Sequence, residues 1–130
     1  MFLRFVRPLK LTHMKARAGF FHAAYELRDV KNLDHATAER LEDHLAWFRT
    51  NLKIPNKFCR STSKGWKEAT PGLGWFKPDA QDVLRHAFDL ASLLDDQGFP
   101  VEVLRSDRVG YVLYEDPHQV VAEPFANTPV

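Results

Sequence analysis

The sequence predicts an α+β fold: a small, mainly antiparallel sheet made of an N-terminal strand and a three-strand C-terminal meander, with about three helices packed on one side. Three observations carry this. Ala80, Val83, Leu84, Ala87, Leu90, Ala91 and Leu94 recur at three- and four-residue spacing, which is one apolar stripe on a helix. Three short runs of strand-forming residues follow it with brief links, Val101 to Ser106, Gly110 to Glu115 and Val120 to Pro124. Two further amphipathic stretches and one isolated strand-like run, Phe2 to Arg7, precede it.

In chain order, Phe2 to Arg7 reads as a strand that Pro8 ends and that joins the C-terminal sheet. Residues 9–18 are a basic connector. Gly19 to Arg28 suits a short helix with Phe20, Ala23, Ala24 and Leu27 on one face. Asp34 is an N-cap candidate, because its carboxylate accepts from the free amides of a first turn. Ala38, Leu41, Leu45, Phe48 and Leu52 form the stripe of that next helix, and Ile54-Pro55 ends it. Residues 55–76 show no sustained periodicity and are broken by Gly65, Pro71, Gly72 and Gly74. They also hold Phe58, Trp66, Trp75 and Phe76, so partial packing is expected, with a short strand near Trp66.

The long helix spans 78–97. Pro78 and Asp79 suit its first turn; Gly98, Phe99 and Pro100 suit its end. Asp95 and Asp96 oppose the helix dipole and are read as solvated. Asp116-Pro117 marks a turn between the last two strands. Residues 126–130 are expected to fray. The whole chain, 1–130, is one domain of ordinary composition, 45% hydrophobic and 27% charged. No apolar run approaches the ~20 residues of a membrane span. One cysteine excludes an internal disulfide and, with the absence of a signal-like start, points to the cytoplasm.

The net charge of +1 hides a segregation. Residues 1–25 carry Arg4, Arg7, Lys10, Lys15 and Arg17 and no acid. Residues 53–77 carry Lys53, Lys57, Arg60, Lys64, Lys67 and Lys77 against Glu68 alone. If these segments meet in space, the protein has a positive face and a negative body.

The run Gly110-Tyr111-Val112-Leu113-Tyr114-Glu115-Asp116-Pro117-His118-Gln119-Val120-Val121-Ala122-Glu123-Pro124-Phe125 resembles the ending of a family of short bacterial proteins of unassigned function. Trp75-Phe76-Lys77-Pro78 and Trp47-Phe48 are similar to the same family. The resemblance covers about the last two-thirds of the chain; it implies a bacterial protein and carries over no catalytic residue or cofactor. The order strand–helix–helix–three strands is also similar to the fold of RelE/ParE-type toxins, which lack the long helix at 78–97.

The leading functional expectation is a non-enzymatic protein that binds an anionic partner, nucleic acid or an acidic protein, without a cofactor or metal. The residues assigned to it are Arg4, Arg7, Lys10, Lys15, Arg17, Lys57, Arg60, Lys64, Lys67 and Lys77, with Trp66 and Trp75 as exposed stacking platforms. The alternative is a toxin-like ribonuclease with His86 or His118 as acid or base beside Arg105 or Arg108. A third reading is a homo-oligomer or accessory subunit. His22 and Glu26, four apart, form a common helical pair; His44 reads as a half-buried structural histidine, and Cys59 as an ordinary loop residue among cations.

Overall fold

The computed structural model describes residues 1–10, 16–54 and 72–130. It is α+β, as the sequence predicts. Among the described residues, six strands and three helices follow in the order β1 (Phe2–Lys10), β2 (Arg17–Gly19), α1 (Phe20–Arg28), α2 (His35–Asn51), β3 (Leu73–Phe76), α3 (Gln81–Asp96), β4 (Glu102–Ser106), β5 (Tyr111–Glu115) and β6 (Gln119–Glu123).

Local signals place the helices. The Asp34 carboxylate accepts from the Thr37 amide, so it caps α2. Gly98, at φ 86°, ends α3: its own N–H and that of Phe99 turn back to the carbonyls of Asp95 and Leu94. Asp95 is not simply solvated. Its carboxylate accepts from the Val101 amide and fixes the chain's exit from the helix.

The sheet's pairing departs from a simple meander. β5 and β6 form the expected hairpin, turned at Asp116, whose carboxylate accepts from the amides of His118 and Gln119. β4 lies on the far side, paired along its whole length with β1. β3, formed where a loop was expected, bridges β1 to β6. β1 runs past Pro8 to Lys10, and a register shift between Val6 and Lys10 accommodates the missing amide.

The second edge of β1 is shared between two strands. Leu3 pairs with Phe76 of β3, and Val6 pairs with Gly19 of β2. β3 and β2 therefore diverge between these two points, and the sheet forks.

Side chains alternate across the pleat. Leu3, Phe5 and Phe76 face the three helices and share a core with Phe20, Ala23, Leu27, Leu41, Leu45, Phe48, Val83, Ala87, Leu90 and Leu94. The opposite face curls over a second cluster of Trp75, Val109, Val120 and Ala122, with Phe2 and Leu104 against it. The segment after β6 is tied down where fraying was expected. Thr128 is buried; its hydroxyl donates to the Arg108 carbonyl and accepts from the Phe125 amide. Arg17 Nε donates to the oxygen of Val130. No helix among the described residues is long and apolar enough to cross a membrane.

Candidate functional site

Most of the described cations assigned to an anionic partner are engaged within the fold. Arg7 Nη1 donates to Glu26 Oε2 at 2.6 Å and to His22 Nδ1 at 3.0 Å, with its guanidinium over the Phe99 ring. His22 and Glu26 thus share an arginine and do not form a dyad with each other. Arg17 Nη1 donates to Glu102 at 2.6 Å, and Lys77 Nζ lies 2.6 Å from Glu115. Arg4 is 6% exposed, so it is no surface cation. Lys10 is exposed. Trp75 is 1% exposed: β3 alternation aims it into the second cluster while Phe76 turns to the helices, so it is no stacking platform. Lys15, Lys57, Arg60, Lys64, Trp66 and Lys67 lie outside the described residues, as do Cys59 and the strand expected near Trp66.

Topology nevertheless relates the two basic segments. β3 runs antiparallel to β1, so its start at Gly72–Leu73 lies toward the Val6–Lys10 end of β1. The β1–β2 hairpin, with Lys10 and Arg17 paired, extends from that same end. The chain on both sides of 11–15 and the chain leaving 55–71 therefore lie toward the same end of β1. The other flank, Lys53, sits at the opposite end, where its carbonyl accepts from Gln119 Nε2 at 2.7 Å.

The residues of the ribonuclease reading are dispersed. His86 stacks on Trp47 in the helix layer, with ring centroids 3.9 Å apart. Arg108 lies over the Phe125 ring, and Phe125 packs on Tyr111 at the start of β5. His118 is at the other end of the β5–β6 hairpin, about 15 Å away by strand length. Arg105, Leu3, Phe76 and Gln119 share one level across four strands. This puts Arg105 about three strand spacings, roughly 14 Å, from the neighbourhood of His118.

Two arrangements were not read from the sequence. The first joins α2 to α3. His44 Nδ1 and His86 Nδ1 lie 3.2 Å apart, so one ring donates and the other accepts. Burial, His86 and Arg40 push the His44 pKa down, against an opposing pull from Asp89 and Asp43. The folded state therefore favours neutral His44. The contribution is intact above the ordinary value of 6.5 and is lost as pH falls through it toward the lower folded value. Chemical denaturation at pH 7 and pH 5.5 is expected to show a loss of less than about 1 kcal/mol from this source, because water screens the half-exposed ring. His44→Gln removes that part of the pH dependence; an identical acid loss in both proteins would contradict the assignment.

The second is at the fork. One residue along from the Leu3–Phe76 pair, Arg4 and Trp75 stand side by side on the face away from the helices. Arg4 Nη2 donates to the Arg17 carbonyl at 2.8 Å. Arg4 Nη1 and Trp75 Nε1 are buried donors with no hydrogen-bond partner among the described residues. Burial first, and then Arg17, bring the Arg4 pKa down to about 10. The fold thus disfavours the ionised guanidinium by on the order of 3 kcal/mol. The available sequence signal was the single cation inside Phe2-Leu3-Arg4-Phe5-Val6, where apolar residues on both faces announce a strand covered on both sides.

Among the described residues, no group of three or more His, Cys, Asp or Glu side chains is placed to hold a metal ion. No protein-family model, curated protein or solved structure matches this chain.

Proposed function

We propose that this chain is a non-enzymatic cytoplasmic binding protein of bacterial type that engages an anionic partner, nucleic acid in the first instance. The observation that supports the reading is that the chain on both sides of the first basic stretch and the chain leaving the second lie toward the same end of β1. The residues assigned to the partner are Lys10 and Lys15 in the first segment, and Lys57, Arg60, Lys64, Trp66 and Lys67 in the second. Arg4 and Trp75 leave the set because they are buried, and Arg7, Arg17 and Lys77 because they are paired with Glu26, Glu102 and Glu115. The cytoplasmic and bacterial parts rest on the single cysteine and on the sequence of the β5–β6 hairpin.

Fluorescence anisotropy with labelled single- and double-stranded RNA and DNA tests the proposal. A site that neutralises about five phosphates loses roughly 100- to 500-fold in affinity between about 50 and 200 mM salt. Binding to none of the four probes overturns the nucleic-acid form and leaves an acidic protein as the anionic partner.

One observation favours a second reading, self-association. β5 is an edge strand whose Tyr111 and Val112 are 67% and 48% exposed. A dimer through this edge predicts a doubled mass in light scattering that returns to monomer in Val112→Lys; a strict monomer contradicts it.

A further inference from the structure

We propose that His44 and His86 are a two-stage proton sensor between α2 and α3: the pair keeps its hydrogen bond when it takes up one proton and parts when it takes up a second. The two Nδ1 atoms are 3.2 Å apart. The ring centroids are 5.4 Å apart, close to the greatest separation that this nitrogen distance allows, so the nitrogens face each other head-on. A metal ion shared by the two rings would need each nitrogen turned off the line between them, and a shared proton does not. Both rings are half-buried, so protons from solvent reach them.

The two rings have different surroundings. His86 lies flat on the Trp47 indole, with centroids 3.9 Å apart and planes 17° apart, and Phe48 stands edge-on to it. An indole face attracts a cation. His44 faces His86 and Asp89 across on α3, and Arg40 and Asp43 on its own helix. Burial first, then His86 and Arg40, outweigh the two carboxylates and oppose its charged form. These surroundings make His86 the donor and His44 the acceptor. In the neutral pair His86 then carries its hydrogen on Nδ1, and His44 carries its own on Nε2. The first proton goes to His86 Nε2, outside the shared hydrogen bond. It leaves that bond in place and makes its donor a cation. The second proton has only His44 Nδ1 to go to. Two N–H groups and two like charges then confront each other, and the rings separate while Trp47 retains His86. Acid therefore acts on α2 in two steps, in the pH range where histidines titrate. The sensor uses none of the residues assigned to the polyanion above, so either reading survives failure of the other.

NMR of labelled ring nitrogens in the full chain, from about pH 8 down to about pH 4.5, tests the inference. Loss of signals in His44→Gln and in His86→Leu assigns the two rings. At the alkaline end His86 is expected to carry its hydrogen on Nδ1 and His44 on Nε2. On acidification His86 is expected to charge first and His44 after it, with more than about one pH unit between the steps. His86→Leu removes the partner charge and the donor, and it should move the charging of His44 to higher pH. A histidine governed by burial alone would not move upward beside the apolar leucine. If His86→Leu does not fold, the order and spacing of the two wild-type steps decide. The reverse tautomers, a single step shared by both rings, or a His44 step that His86→Leu leaves in place would overturn the sensor.

Discussion

Gly110→Ala is expected to cost about 3–5 kcal/mol and to lower Tm by roughly 10–20 °C. Gly110 adopts φ 120°, a region that L side chains rarely enter. A Cβ built there would sit 1.8 Å from the Glu123 carbonyl oxygen and 2.8 Å from Pro124 Cα. These are backbone atoms of the neighbouring strand end, fixed by the Tyr111–Glu123 pair, so they cannot swing aside as a flexible side chain would. Two penalties therefore add: a strained backbone and an opened β5–β6 ladder. The same substitution at Gly74, which has no heavy atom within 4 Å of the added Cβ, serves as the control. Equal melting temperatures for the two variants would show that the approach of β5 to Glu123 is wrong.

Trp75→Ala carries the second large effect, about 3–5 kcal/mol by urea denaturation. The indole is 1% exposed and is the largest fully buried side chain among the described residues, packed with Val109, Val120 and Ala122 on the sheet face away from the helices. Its removal hollows the smaller of the two clusters, which has few other large side chains with which to close the cavity. Because the ring is enclosed, Trp75→Phe should leave polyanion binding unchanged. A loss of less than about 1 kcal/mol in Trp75→Ala would place the indole in solvent, contrary to the structure.

Signals that act over a few residues were legible in the chain. Asp34 caps α2, Gly98 closes α3 and Asp116-Pro117 turns the last hairpin, each through hydrogen bonds or dihedrals that its own residue type provides. Strand partners were not legible, because pairing depends on distant chain. β2 has three residues and β3 four, too short for an alternating pattern to show, and Gly72 and Gly74 read as loop. Gly72 is instead a packing glycine: an added Cβ would meet Val121 Cγ1 at 2.5 Å. β4 reads as the neighbour of β5 along the chain, yet it lies on β1, five residues in register.

The site was less legible than the fold for a related reason. Composition counts Arg4, Arg7, Arg17 and Lys77 as surface charge, and only tertiary structure shows that each is spent on Arg17, Glu26, Glu102 or Glu115. Sequence likewise cannot see that Leu3 and Val6 pair with different strands, which is what opens the fork beside Arg4. His44 was readable as a half-buried histidine, but its partner His86 lies 42 residues away and on another helix.

The central claim is that the two basic segments of the chain hold a polyanion. It is tested most directly by the slope of log affinity against log salt, measured for the wild type and for a variant with Lys57, Arg60, Lys64 and Lys67 all changed to alanine. Each phosphate contact contributes roughly 0.7 to 0.9 to that slope, so the account predicts a steep wild-type line that flattens by about 3 in the variant. A wild-type affinity indifferent to salt, or a slope that the four substitutions leave untouched, would contradict it.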